Sequence, residues 1–309
     1  MSEIPFRTCS TSPRLRKGSF TITIDLELGW GWRGIGISPR EKELILEEEQ
    51  IVRRLLALFR RHNIKVTWAV VGNILGDPRN RDSSRSELLG SSSSDAKLWH
   101  SQELVKSITR AEPRHDLASH SFSHVSYDTS TPRQYVLNDL TKAKSAHIRH
   151  DLPFRAFVFP WNRVGHLDLL AKQGIRIYRG EDDIWYDRLP RRLYRLGLFL
   201  DKMMPIAPRT VLPKKGVYNL ISIHGCMALH GKYGIVTGRI AISKAKAGID
   251  RAMKLKEAFH LWFHPAAFYY ERSRQFQVLG EILSYSSKHV REGNICNLTL
   301  SEYLDGVRE

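Results

Sequence analysis

The chain has 309 residues, of which 42% are hydrophobic and 10% aromatic, and its formal net charge is +16. This composition predicts a folded globular protein and excludes a largely disordered one. No apolar run reaches the roughly 18 residues that a membrane-spanning helix needs, so we expect no transmembrane segment.

Compartment and partners are constrained by the cysteines and by the charge. Cys9, Cys226 and Cys296 are few and far apart in sequence, which is typical of a reducing compartment, so we expect a cytoplasmic protein. The net charge is typical of a soluble basic protein, and the alternative is contact with an anionic or membrane-associated substrate. The basic residues have neither the aromatic pattern of an RNA-recognition sheet nor zinc-finger spacing, so no specific nucleic-acid partner is expected.

The N-terminal half predicts a parallel strand pair. Residues 1–18 are basic and polar without an apolar core, which indicates a flexible leader and not a secretion signal. The strand pattern SFTITIDLELGW then precedes an amphipathic helix over residues 40–63 and a buried strand over 64–75. A strand–helix–strand order predicts two parallel strands. The serine-rich segment 80–98 predicts a surface loop.

The same alternation continues toward the C-terminus. Helix patterns cover residues 101–110, 131–150 and 166–174, and strand patterns lie in HDLASHS, FRAFVFP and IRIYRG. The order is less clear until FHLWFHP, and a last helix pattern covers residues 273–290. We find no internal repeat. We therefore predict one α/β domain over residues 19–309, closed or nearly closed into a barrel.

Two carboxylates end the first strand pattern. Asp25 and Glu27 are two residues apart, and strand side chains alternate between faces, so both point to the same side. Because buried carboxylates need a cation, an arginine or a shared proton, this pair indicates a binding site. Ligand sites of parallel α/β proteins gather at the carboxyl ends of the strands.

Histidines follow two further strand patterns. His120 and His124 are four residues apart in HSFSH, a spacing that lets both rings reach one ion. Two histidines, a carboxylate and a water make a catalytic metal site rather than a closed structural one. His264 ends the strand FHLWFH, where it is placed to protonate a leaving group.

In this order, the motifs resemble the polysaccharide deacetylase (NodB-homology) family of carbohydrate esterases over nearly the whole chain. HSFSH matches the family's His-(Ser/Thr)-x-x-His motif in full, and LWFHP resembles its last motif. TIDLE matches the Thr-Phe-Asp-Asp-Gly motif in part and looks like an Asp-x-Glu variant subgroup, since Leu26 replaces the second aspartate. In FVFPWNRVG, Val158 stands where the family has an arginine.

The resemblance implies a fold and a set of roles. It implies a distorted (β/α) barrel of seven parallel strands and a divalent ion, most often Zn²⁺, held by His120, His124 and one first-motif carboxylate. Asp25 and Glu27 then share the roles of base and ligand, in either order, and His264 is the acid.

The resemblance also directs attention to residues around the substrate. The missing arginine is expected from Arg155 or Arg163, and three tryptophans are candidates to stack on a sugar. The residues expected at the substrate are Trp30, Trp32, Trp161 and Arg163.

The leading hypothesis is therefore a metal-dependent hydrolase of a non-peptide carbon–nitrogen bond, which removes an acetyl group from an N-acetylated sugar in a polysaccharide or its precursor. One alternative is an amidase acting on a small amide. Another is a basic binding protein without catalysis on a degenerate deacetylase scaffold, suggested by the replaced aspartate and the displaced arginine.

Overall fold

The computed structural model describes residues 15–76, 96–182, 186 and 189–306. Within these residues one sheet of ten strands lies inside a layer of helices. The strands are β1 (Ser19–Leu26), β2 (Thr67–Val70), β3 (Asp116–Ser119), β4 (Ala156–Val158), β5 (Ile177–Gly180), β6 (Lys214–Lys215), β7 (Ile221–His224), β8 (Met227–Ala228), β9 (Ala258–Phe263) and β10 (Cys296–Asn297).

The helices follow the strands in the alternating order that the sequence predicts. They are α1 (Pro39–Leu46), α2 (Glu48–His62), α3 (Ala96–Trp99), α4 (Gln102–Thr109), α5 (Arg133–Arg149), α6 (Leu167–Gln173), α7 (Arg191–Met203), α8 (Ile235–Leu255), α9 (Arg272–Arg291) and α10 (Tyr303–Gly306). No helix in the described part of the chain is long and apolar enough to cross a membrane.

The sheet confirms the predicted α/β barrel class. Its strand order is β6-β7-β5-β4-β3-β2-β1-β9-β8, and β10 pairs with β1 off this path. All pairs are parallel except β6 with β7, and the sheet curls into a half-barrel. The path has nine strands instead of the predicted seven. The difference comes from β6 and β8, which have two residues each and extend its two ends.

Alternate side chains of β1 face the two sides of the sheet. Ile22 and Ile24 belong to the large core between the sheet and the helices. Thr21 and Thr23 face the barrel interior, where Thr21 Oγ1 and the hydroxyl of Tyr303 lie 2.7 Å apart. Asp25, two residues further on, therefore reaches the carboxyl end of the interior.

Three local predictions differ from the structure. The helix expected over 40–63 is two helices, because the backbone turns at Glu47 (φ −84°, ψ −8°). Helix α7 was not predicted. The segment 80–98 lies partly outside the described residues, and its end forms α3, where Leu98 and Trp99 are buried. Of the leader 1–18, only residues 15–18 are described; there Lys17 donates a hydrogen bond to the carbonyl of Gly293.

Candidate active site

Three imidazoles converge on one carboxylate oxygen beyond the end of β1. Oε1 of Glu27 lies 3.1 Å from Nε2 of His120, 2.9 Å from Nε2 of His124 and 3.1 Å from Nε2 of His264. Glu27 follows β1 directly. Its side chain packs against Gly31, which has no side chain of its own and so leaves room for the carboxylate. A Cβ atom on Gly31 would lie 2.2 Å from Glu27 Oε2. The structure thus brings together residues that are more than 200 positions apart in the sequence.

The loop carrying His120 and His124 is held by a buried carboxylate on α5. Asp139 accepts hydrogen bonds from the backbone N–H groups of Phe122 (2.9 Å) and Ser123 (3.0 Å) and from the hydroxyls of Ser123 (2.6 Å) and Tyr127 (2.8 Å). His124 has a left-handed backbone conformation, with φ of 55°. Because a histidine seldom adopts this conformation, the loop depends on contacts that fix it. Asp139 supplies them, and no motif in the sequence indicated this role.

Asp25 is paired with an arginine from the opposite side of the barrel. Arg179 on β5 donates two hydrogen bonds to its carboxylate, of 2.8 Å from Nη1 and 2.7 Å from Nη2. Both side chains are almost completely buried. From the sequence, Arg155 or Arg163 was expected in this role. Arg155 is exposed, and Arg163 is mostly exposed and lies 3.6 Å from Asp128, so neither is the partner of Asp25.

Another buried histidine, His260, links β9 to this pair and lies outside the cluster around Glu27. Nδ1–H of His260 donates to the carbonyl of His224 (3.0 Å), so its Nε2 accepts from the hydroxyl of Thr23 (3.0 Å). Thr23 in turn accepts a hydrogen bond from Arg179 (3.0 Å). Burial and the charge of Arg179 lower the pKa of His260 to about 3, so this ring stays neutral and its contacts orient Arg179.

Nearby charged side chains determine the pKa values of the site residues, and their effect is opposite to that of burial. Burial raises the pKa of Asp25, but Arg179, His120 and His264 outweigh it and lower the pKa. Burial likewise raises the pKa of Glu27, but His264 and His124 hold it well below its usual range. Burial disfavours the charged form of His264, yet Glu27 and Asp25 raise its pKa to about 9. At neutral pH the site therefore combines two carboxylates with an imidazolium.

The residues around Glu27 fit a divalent cation. Nδ1 of His120 is paired with the carbonyl of Val158 (2.8 Å), so Nε2 is the ring nitrogen that faces Glu27 and is free to bind an ion. Nδ1 of the buried His124 makes no hydrogen bond, and its Nε2 lies 2.9 Å from Oε1 of Glu27. A cation at this point would be bound by both imidazoles and by the carboxylate of Glu27. The separations of 2.9 and 3.1 Å are close to the roughly 3.3 Å between tetrahedral zinc ligands.

A cavity of about 480 Å³ opens onto these residues. Asp25, Glu27, His124, Arg179 and His264 line one part of it. Its other walls carry aromatic and small residues, namely Gly31, Trp32, Trp161, Trp262, Ala266 and Ala267. The exposed indole of Trp161 lies with its ring centre 5.3 Å from that of His124. Space next to the titratable groups is therefore bordered by a tryptophan that a ligand can reach.

Two of the residues expected at the substrate lie elsewhere. Trp30 is buried, and its indole N–H donates to the carbonyl of Trp99 (2.8 Å), so it packs in the core and presents no face to the cavity. Arg163 is not part of the cavity wall. Trp32, which lines the cavity, stacks on Tyr269 with ring centres 6.1 Å apart.

Comparison with known proteins agrees with the motifs. Residues 42–161 match the family model described as polysaccharide deacetylase. This segment contains His120, His124 and Trp161 but neither Asp25 nor His264. The predicted resemblance to this family is confirmed, whereas the Asp-x-Glu subgroup stays a prediction. No curated protein matches the sequence.

Solved structures share the fold at low sequence identity. One from Mycobacterium smegmatis, provisionally described as a polysaccharide deacetylase, has a TM-score of 0.62 and 14% identity and covers 97% of this chain and 95% of its own. PuuE allantoinase has a TM-score of 0.60, and a protein from Pseudomonas aeruginosa PAO1, also provisionally described as a polysaccharide deacetylase, has 0.59. Both are 11% identical and cover 94% of this chain and 89% of their own. These likenesses establish the barrel fold.

Proposed function

Starting from the family match over residues 42–161, we propose that this protein is a metal-dependent hydrolase that removes the acetyl group from an N-acetylated sugar in a glycan or its precursor. One observation carries the proposal. The Nε2 atoms of His120, His124 and His264 converge within 3.1 Å on a single oxygen of Glu27, next to the ion pair of Asp25 and Arg179.

We assign the metal to Glu27, His120 and His124. Two imidazoles and one carboxylate form the open donor set of a catalytic zinc site. The hydrogen bond from His120 to Val158 fixes one ligand ring, and Asp139 fixes the loop of the other. A bound divalent ion supplies the polarisation of the amide carbonyl and the activation of water. Zn²⁺ is the ion we expect, since nitrogen and oxygen donors suit it.

Asp25 is assigned as the general base. Both of its oxygens accept hydrogen bonds from Arg179, so the carboxylate stays ionised although it is buried. It lines the same cavity as Glu27, which places an acceptor for the water's proton beside the metal ligands. Arg179 acts through Asp25 and is a positioning residue.

His264 is assigned as the general acid. In the metal-free protein the carboxylates of Glu27 and Asp25 raise the pKa of His264 to about 9 against the effect of burial, and its ring lines the cavity. Cleavage of the amide needs a proton on the departing nitrogen, which this ring is placed to give. Water thus provides one oxygen of the acetate and gives its proton to Asp25, and the nitrogen takes the proton of His264 and leaves as the free amine of the sugar.

The test is metal binding and acetate release by the His120→Ala, His124→Ala double variant. We expect both to be lost, while the His150→Ala variant, which changes a histidine outside the cavity, keeps both. Retention of metal and of full activity in the double variant would refute the assignment.

A second candidate is hydrolysis of a small amide. The observation behind it is the fold shared with PuuE allantoinase, at a TM-score of 0.60. Both reactions use the same groups, so the products distinguish them. Acetate from N-acetylated sugars supports the first, and ammonia or a carbamoyl product from small cyclic or linear amides supports the second.

The site offers little support for the non-catalytic alternative. This alternative was based on the replaced second aspartate and the displaced arginine of the sequence motifs. In the structure Glu27 lies among the histidines, and Arg179 provides the guanidinium for Asp25. Binding that weakens with salt and is accompanied by no hydrolysis remains the result that would favour it.

A further inference from the structure

Helix α7 exposes an apolar face to solvent. Leu193, Leu196, Leu200 and Met203 recur at three- and four-residue intervals and therefore lie along one side of the helix, with Phe199 next to them. These side chains are 36–59% exposed, where a helix of a soluble protein would normally bury such a stripe.

The side of α7 that adjoins this stripe packs against the rest of the protein. Gly197 is buried so closely that a Cβ atom would lie 2.5 Å from Cβ of Tyr186. Asp201 accepts a 2.6 Å hydrogen bond from the buried Lys244 of α8. These two contacts fix the rotation of the helix, so the apolar stripe cannot turn inward without breaking an ion pair.

Basic residues accompany the stripe. The segment from Leu189 to Arg209 contains five basic residues and one acid, Asp201, which is paired with Lys244. Arg191, Arg192 and Arg195 are exposed in the first turns of α7. Leucine and phenylalanine on one face with arginines beside them is the pattern of a helix lying in a membrane interface.

We propose that α7 docks on the surface of a bilayer containing anionic phospholipid, with Leu196 and Phe199 inserted at the level of the headgroups. The net charge of +16 and the arginines of α7 complement an anionic leaflet. A second copy of the chain fits this face less well, because two such faces would bring the same arginines together.

The position of α7 connects the docking surface to the candidate active site. Tyr194, Asp201 and Ile206 line a cavity of about 570 Å³. His230 and Trp262 belong to the walls of both this cavity and the one at His264. When α7 docks on a bilayer, the cavity beside α7 therefore lies between the lipid surface and the candidate active site. The inference concerns binding alone and does not depend on the proposed hydrolysis.

The experiment is co-sedimentation of the full chain with vesicles, either of equal parts phosphatidylcholine and phosphatidylglycerol or of phosphatidylcholine alone. We expect binding to the anionic vesicles that weakens with salt. The Leu196→Ser, Phe199→Ser variant is expected to bind at least about tenfold less. An Arg192→Glu, Arg195→Glu variant is expected to lose about fivefold or more for each arginine.

A matched control is the Ile148→Ser, Arg149→Glu variant, which changes an exposed apolar and an exposed basic residue at the end of α5. It should bind like the wild type. All changed side chains are exposed, so circular dichroism should be unchanged. No binding to anionic vesicles, or equal binding by every variant, would overturn the proposal. So would light scattering that finds a dimer in the wild type and a monomer in the Leu196→Ser, Phe199→Ser variant, because the occupant would then be a second copy.

Discussion

Arg179 and Asp25 form a buried ion pair with two hydrogen bonds, of 2.8 and 2.7 Å, that joins β5 to β1 across the barrel interior. Arg179 also contacts the ring of Trp262, with its guanidinium carbon 4.5 Å from the ring centre. The pair lies behind the cluster of Glu27 and three histidines. It therefore connects the stability of the barrel to the charge of the site.

Replacement of this arginine should be costly. In the Arg179→Met variant Asp25 remains buried without its partner, and we expect the free energy of unfolding to fall by about 3–5 kcal/mol. An Arg179→Lys variant should recover part of this loss, because lysine restores the charge but not the two parallel hydrogen bonds. The measurement is urea denaturation.

Arg163→Met is the control for this series, since Arg163 is mostly exposed. It should change the free energy of unfolding by less than about 0.5 kcal/mol. Equal stabilities of the Arg179→Met and Arg163→Met variants would show that the buried pair does not support the fold.

The loop of His120 and His124 should depend on Asp139. The Asp139→Ala variant leaves buried N–H groups of Phe122 and Ser123 unpaired, each at about 1–3 kcal/mol. Loss of this support should also weaken zinc affinity by about 10–100-fold. Equilibrium dialysis with Zn²⁺ measures it, and Asn138→Ala, at the exposed neighbouring position, is the control. Unchanged zinc affinity in the Asp139→Ala variant would contradict a positioning role.

The stability of the metal-free protein should fall in alkali. Glu27 and Asp25 raise the pKa of His264 to about 9, against about 6.5 in an unfolded chain. The proton on His264 therefore stabilises the fold fully below about pH 6.5, and this contribution disappears as the pH rises through about 9. Thermal unfolding in the presence of a chelator measures it. His264→Gln should flatten the dependence between these pH values, and an identical curve for both proteins would contradict the ion pairing.

Two tryptophans should respond differently to truncation. Trp161→Ala removes an exposed ring at the cavity, so we expect a higher KM with nearly unchanged stability. Trp30→Ala removes a core side chain and should lower the free energy of unfolding by about 3–5 kcal/mol. Kinetics on an N-acetylated oligosaccharide and urea denaturation separate the two effects. A higher KM in Trp30→Ala with full stability would reverse these assignments.

The sequence was sufficient for the barrel and for most of the titratable groups near Glu27. Strand alternation placed Asp25 and Glu27 on one side, and the predicted strand ends brought both close to His264. The sequence did not indicate which side chains pair with each other across the barrel interior. IRIYRG was read as a strand, but the partner of Arg179 is fixed by the curvature of the sheet and not by nearby residues. The one local signal was a charged residue in register with the buried Ile175 and Ile177.

The roles of two other residues could not be predicted from the sequence for a similar reason. Asp139 lies on a helix whose pattern does not indicate a loop more than ten residues earlier as its partner. Trp30 was expected to stack on a sugar, yet its indole N–H donates to the carbonyl of Trp99, which is distant in sequence. Residues whose role is set by contacts between distant segments were those that the motifs could not assign.

The central claim is that Glu27 holds the metal and Asp25 takes the proton. The most direct test measures bound Zn²⁺ and acetate release in the Glu27→Gln and Asp25→Asn variants. We predict that Glu27→Gln loses both, whereas Asp25→Asn retains the metal and loses turnover. Retention of zinc by Glu27→Gln together with its loss in Asp25→Asn would contradict the assignment and exchange the two roles.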